Sequence, residues 1–145
     1  MMPAVQHNLR LNELLILLRY SLVSYVAECG PWSARGALAA REALDHAVQE
    51  QREWIERIAE LLAQRQWQID PGTYPEEFTD SNYAGLAYLW PRILEDQRFV
   101  VTELSEAAHE CAGDADAARL LRRARDSQQL VLDRLCAATS SLSAS

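Results

Sequence analysis

Between Arg41 and Leu62 the chain carries Leu44, Ala47/Val48, Gln51, Ile55, Ile58 and Leu62 at alternating intervals of three and four residues. That spacing lines one face of an α-helix, and a stripe of this length has to be covered by other helices. The same stretch sets Glu50, Gln51 and Glu53 where a helical core should be dry, and Gln97 and Gln128 interrupt two later stripes in the same way.

Three further segments carry the same period. The first helix is expected over residues 8–29, with Asn8 as N-cap and Leu11, Leu15, Leu18, Leu22, Tyr25 and Cys29 as a bundle seam. Gly30-Pro31 ends it, Gly by adopting the left-handed conformation and Pro by refusing continuation. Ser33 caps the second helix, residues 34–66, and Asp70-Pro71-Gly72 is a firm break. The third is expected over residues 80–112, capped by Thr79 or Asp80 and kinked or divided at Pro91. Its stripe is Leu86, Leu89, Ile93, Gln97, Val100, Leu104, Ala107 and Cys111. Gly113-Asp114 turns into the fourth, residues 115–139, lined by Ala117, Leu121, Ala124, Gln128, Val131, Leu135 and Ala138. The tail 140–145 is small, polar and expected to be disordered. With no strand pattern of useful length, the class is all-α.

At 145 residues, 49% of them hydrophobic, the chain suits one globular domain, residues 1–145. A net charge of −7 argues against nucleic acid and anionic lipid as partners. All 14 basic residues are Arg, which reflects genome composition more readily than chemistry. No apolar run reaches the roughly 20 residues of a membrane span, and the start lacks the pattern of a signal peptide. Cys29, Cys111 and Cys136 are odd in number and lack metal-ligand spacing, so they read as free thiols of a cytoplasmic protein. No nucleophile elbow, P-loop or dinucleotide fingerprint is present.

Connection lengths constrain topology. The first and last turns are short and imply antiparallel hairpins. The stretch from Trp67 to Thr79 can span roughly 40 Å at about 3.3 Å per residue, the length of a whole helix. A long crossover between the second and third helices is therefore expected, with those two running parallel. Cys29 and Cys136 then share one end and Cys111 lies at the other. The helix midpoints, near Leu18, Glu50, Gln97 and Gln128, fall in one layer.

Leu11-Asn-Glu-Leu-Leu with Tyr25, and Trp54-Ile-Glu-Arg-Ile, resemble the first two helices of bacterioferritin-type, ferritin-like proteins. Arg125-Asp-Ser-Gln-Gln-Leu-Val-Leu-Asp-Arg-Leu135 resembles their last helix. The resemblance implies a ferritin-like four-helix bundle with a di-metal site at mid-height, built from a Glu on the first and third helices and a Glu-x-x-His pair on the second and fourth. Carried onto this chain, those positions hold Leu18, Ala47 and Glu50, Gln97, and Gln128 and Val131. Shifted pairings, Glu50 with Glu53 or Asp126 with Gln129, still supply no His. Two divalent ions need several anionic ligands, so the resemblance implies a degenerate member with no metal cofactor.

Arg19, Glu50, Glu53, Gln97 and Gln128 are the candidate binding residues, forming a hydrogen-bonded polar layer or the floor of a small ligand pocket. Arg19 is placed to neutralise Glu50 or Glu53. His46 shares a helical face with Glu50, while His7 and His109 stand apart. The aromatic residues Trp32, Trp54, Trp67, Trp90, Tyr74, Phe78, Tyr83 and Tyr88 gather near the crossover, to seal the bundle or to associate. The expected role is a non-enzymatic structural, interaction or small-ligand-binding protein, paired as a homodimer through bundle faces or the aromatic crossover. The competing expectation is an iron- or manganese-binding oxidase or iron-handling protein with a reduced site around Glu50.

Overall fold

A computed structural model describes residues 4–29, 38–75 and 86–143. The described residues are all-α: α1 (Ala4–Arg19), α2 (Leu22–Cys29), α3 (Leu38–Gln64), α4 (Leu86–Glu110), α5 (Ala115–Ala137) and a short α6 (Thr139–Ser143). The predicted caps at Ser33, Thr79 and Asp80, and the aromatic residues Trp32, Phe78 and Tyr83, lie outside them.

Three boundaries depart from expectation. The first helix begins at Ala4, so Asn8 is inside it, and the Asn8 side chain instead accepts a hydrogen bond from Arg65 at 2.9 Å. That helix is also broken, since α1 stops at Arg19 and α2 starts at Leu22. Ser21 makes the break affordable by capping α2: its Oγ accepts the Ser24 N–H at 3.1 Å, and the Asp96 carboxylate on α4 accepts the Leu22 N–H at 3.0 Å. Residues 139–143, expected as disordered tail, form α6, which the buried Trp90 holds by donating its indole N–H to Leu135 O (3.2 Å) and Thr139 Oγ1 (3.1 Å). α4 runs through Pro91 without division.

Contacts between helix ends set the relative directions. Arg10, early in α1, reaches Glu103 (2.6 Å) and Glu110 (3.2 Å) late in α4. Arg65, just past α3, reaches Asp114 at the head of α5, and Trp90 near the start of α4 meets Leu135 near the end of α5. Each of these pairs is therefore antiparallel.

α3 ends on a left-handed residue, Gln66 (φ 56°), with Trp67 N–H bonded to Leu62 O and Gln66 N–H to Ala63 O, both at 3.0 Å. This is the Schellman arrangement, in which Gly is favoured because it has no Cβ to strain. The chain then follows α1. Asn12 exchanges two hydrogen bonds with the Asp70 backbone (2.8 and 3.0 Å), and Tyr74 packs edge-on against Tyr20 and Tyr25. Gly72 (φ +67°) passes so close to α1 that a Cβ there would lie 2.7 Å from Ile16 Cγ2.

The apolar core comes in two halves. One contains Leu11, Leu18, Trp54, Ile58, Leu104 and Leu121, and the other Leu22, Val26, Leu44, Leu89, Ile93 and Leu135. The first half is closed by an ionic clamp. Arg65 donates two hydrogen bonds to Asp114 (2.7 and 2.8 Å), which also caps α5 by accepting the Ala117 N–H at 3.2 Å. His7 Nδ1 stands 3.3 Å from the same carboxylate.

Two predictions follow from these ends. Gln66→Gly should stabilise the protein by about 0.5–1 kcal/mol in urea denaturation, because the left-handed cap then carries no Cβ. The Arg65 guanidinium holds the Asp114 carboxyl below its ordinary range. Its stabilisation is therefore fully present above the unfolded value of about 3.9 and is lost as pH falls through the lower folded value. Asp114→Asn should cost about 2 kcal/mol at neutral pH, with the gap to wild type closing below about pH 4.

Candidate functional site

The two half-cores meet at a polar layer. Gln51 of α3, Gln97 of α4 and Gln128 of α5 are each fully buried, joined by buried Ser21 and Ser24 at the α1–α2 break. Each sits between apolar members of its own stripe: Gln51 between Val48 and Trp54, Gln97 between Ile93 and Val100, and Gln128 between Ala124 and Val131.

The hydrogen bonds form a directed network. Gln51 Oε1 accepts from the hydroxyls of Ser21 (2.8 Å) and Ser24 (3.4 Å). Gln51 Nε2 donates to Gln97 Oε1 (3.1 Å) and Gln128 Oε1 (3.2 Å). Gln97 Nε2 donates to Gln128 Oε1 (3.0 Å) and to the Gln128 backbone carbonyl (3.1 Å). Turning the Gln128 amide over would set its NH₂ against two other NH₂ groups, so the network dictates its orientation. The remaining donor, Gln128 Nε2, is buried without a partner among the described residues.

Of the residues predicted for this layer, the structure brings Gln97 and Gln128 together and leaves out Arg19, Glu50 and Glu53. Helix angle decides it. Successive residues turn by about 100°, so Gln51 lies on the buried stripe while Glu50 falls on its flank and Glu53 on the far side of the helix. Glu53 is exposed and pairs with Arg57 at 2.7 Å, and Arg57 also stacks over the Trp54 ring at 4.8 Å. Arg19 is exposed beside the Tyr20 ring, 5.5 Å from its centroid, so it does not occupy the layer as a neutralising cation. Ser21 and Ser24 take the place expected of Leu18, which belongs to the apolar half-core. Ser21, lying between the seam residues Leu18 and Leu22, was the available signal.

Glu50 lies just outside the layer, accepting from Ser127 Oγ at 3.0 Å, with His46 Nε2 3.7 Å away. Both line an open groove of about 560 Å³ between α3 and α5, with Ser127, Leu130, Asp133, Arg134 and Ala137. Glu50–Gln51 and Ser127–Gln128 thus face two ways, the first member of each pair toward the groove and the second into the layer. Among the described residues no three His, Cys, Asp or Glu side chains converge as metal ligands would. Cys111 is buried and its thiol is pushed up by desolvation, whereas Cys136 is exposed.

The described aromatic residues serve mostly as packing. Trp54 and Trp90 are buried, Trp67 packs against the first half-core and Tyr74 against the second, while Tyr88 stands open. No described helix is long and apolar enough to cross a membrane.

Among the described residues, fold and layer together define an all-α bundle divided at mid-height by a hydrogen-bonded amide layer. Comparison with protein-family models, curated proteins and solved structures returned no match.

The network predicts non-additive energetics. Gln51→Leu removes a hydrogen-bond partner from four neighbours, Ser21, Ser24, Gln97 and Gln128, and should cost about 3 kcal/mol in urea denaturation. The triple change Gln51→Leu, Gln97→Leu, Gln128→Leu should cost less than the sum of the three single changes, because the stranded amide groups are removed together.

Proposed function

We propose that the chain is a ferritin-like bundle with a long crossover between α3 and α4, and that it acts as a non-enzymatic structural or interaction protein. The topology is supported by the helix ends. α3 and α4 are each antiparallel to both α1 and α5 by the contacts of Arg10, Arg65 and Trp90, which makes them parallel to one another. Residues 67–75 leave the Arg65 end and follow α1 toward the Tyr20–Tyr25 level, the path such a crossover takes.

The amide layer is the observation that carries the functional reading. Ferritin-like di-metal centres use carboxylates and imidazoles at this height. Here the matching positions hold Leu18, Ala47, Gln97, Gln128 and Val131, all buried, with one carboxylate, the half-buried Glu50, turned to Ser127, and the amides of Gln97 and Gln128 bonded to one another and to Gln51. Neutral amides neither offset the charge of a divalent ion nor serve as proton acceptors in oxygen chemistry. A polar layer of this kind holds helix register.

The competing metal reading rests on Glu50 and His46, a carboxylate and an imidazole one turn apart on α3. Elemental analysis of untagged protein, before and after incubation with Fe²⁺, Mn²⁺ and Zn²⁺, separates the two. Metal near zero in every condition is expected. Stoichiometric metal that disappears on Glu50→Ala would replace the scaffold reading with a metal site.

A further inference from the structure

We propose that the groove between α3 and α5 seats a second copy of this chain, its α5 antiparallel about a two-fold axis at Leu130. The inference gives the interaction reading its partner and rests on that reading.

Leu130 is 64% exposed, a large apolar side chain standing at the groove it helps to line. A knob beside a hollow on one face is the requirement of an isologous contact, where the same patch serves both partners. Glu50, held by Ser127, marks one end of the groove, and Arg134 the other, beside Asp133, whose carboxylate accepts from Gln129 Nε2 at 3.0 Å. Ser127 and Arg134 are about 10 Å apart along α5 at 1.5 Å per residue, with Leu130 between them. Arg134 is exposed and has no ion-pair partner among the described residues of its own chain.

A two-fold axis at Leu130 reverses this order in the second copy. Leu130 then meets Leu130, and each Arg134 comes level with Ser127 and Glu50 of the second copy. Asp126, exposed one turn before Leu130 and paired with Arg125 of its own copy at 2.9 Å, reaches the same level. The pairing gives the interface an aliphatic centre with charged groups at its rim. The face is also built to resist deformation, because the residues beneath it, Gln51 and Gln128, are locked in the amide layer.

Sedimentation velocity on the full chain, from about 1 to 100 µM, should show a reversible dimer. Leu130→Asp should raise the dissociation constant at least about tenfold, and Arg134→Glu or Glu50→Arg about tenfold each. The double variant Glu50→Arg/Arg134→Glu should return to within about threefold of wild type, since each copy then presents the pair reversed. Circular dichroism confirms that each variant is folded. In a Cys136→Ser background, Leu130→Cys should form a disulfide between copies, because the axis sets that residue against itself. A monomer throughout the concentration range would overturn the proposal. So would a dimer indifferent to Leu130→Asp and to charge reversal, or a monomer whose native mass includes a small molecule lost on Leu130→Asp. Metal content is read on the same samples: a metal-loaded dimer that passes these tests removes the metal-free reading and keeps the interface, and a metal-free monomer does the reverse.

Discussion

The rest of the structure hangs on the two hydrogen bonds donated by Gln51 Nε2, to Gln97 and Gln128. They tie three helices at one height, while Gln51 Oε1 reaches the serines of a fourth element. Sliding any helix by one turn, about 5.4 Å, would break these bonds and leave buried amides facing leucine or alanine. An apolar seam alone tolerates such a slide, because one leucine replaces another. The layer makes the register unique and divides the core into halves that fill independently around it.

The interruption of the first helix belongs to the same arrangement. A continuous helix would present a stiff run of leucines at this level. Breaking it at Tyr20–Ser21 brings Ser21 into position both to cap α2 and to donate to Gln51, at the cost of a free N–H on Leu22 that Asp96 accepts. One short polar residue thus settles a backbone problem and a core problem together.

How much of this was legible follows from what periodicity encodes. The four long stripes, the Gly113–Asp114 turn and the intrusion of Gln97 and Gln128 into the core are all local in the chain. They were readable for that reason. The stripe carried Gln51, but the helix midpoint moved the α3 member of the layer to Glu50, because midpoints give height along the axis and not angle around it. Glu50 and Gln51 differ by 1.5 Å in height but about 100° in direction. The break at Tyr20 was hidden since the leucine seam continues through it. The clamps made by Arg10 and Arg65 join residues far apart in sequence, and no local pattern announces them.

The chemical type of the central layer has a consequence for how the molecule meets acid. Amides and hydroxyls do not titrate in the range where proteins fold, so the amide layer itself is indifferent to proton concentration and to salt. The clamp around Asp114 is ionic and titrates. Acid therefore loosens the junction of α1, α3 and α5 through this clamp, while the amides of the central layer go on holding the helices in step.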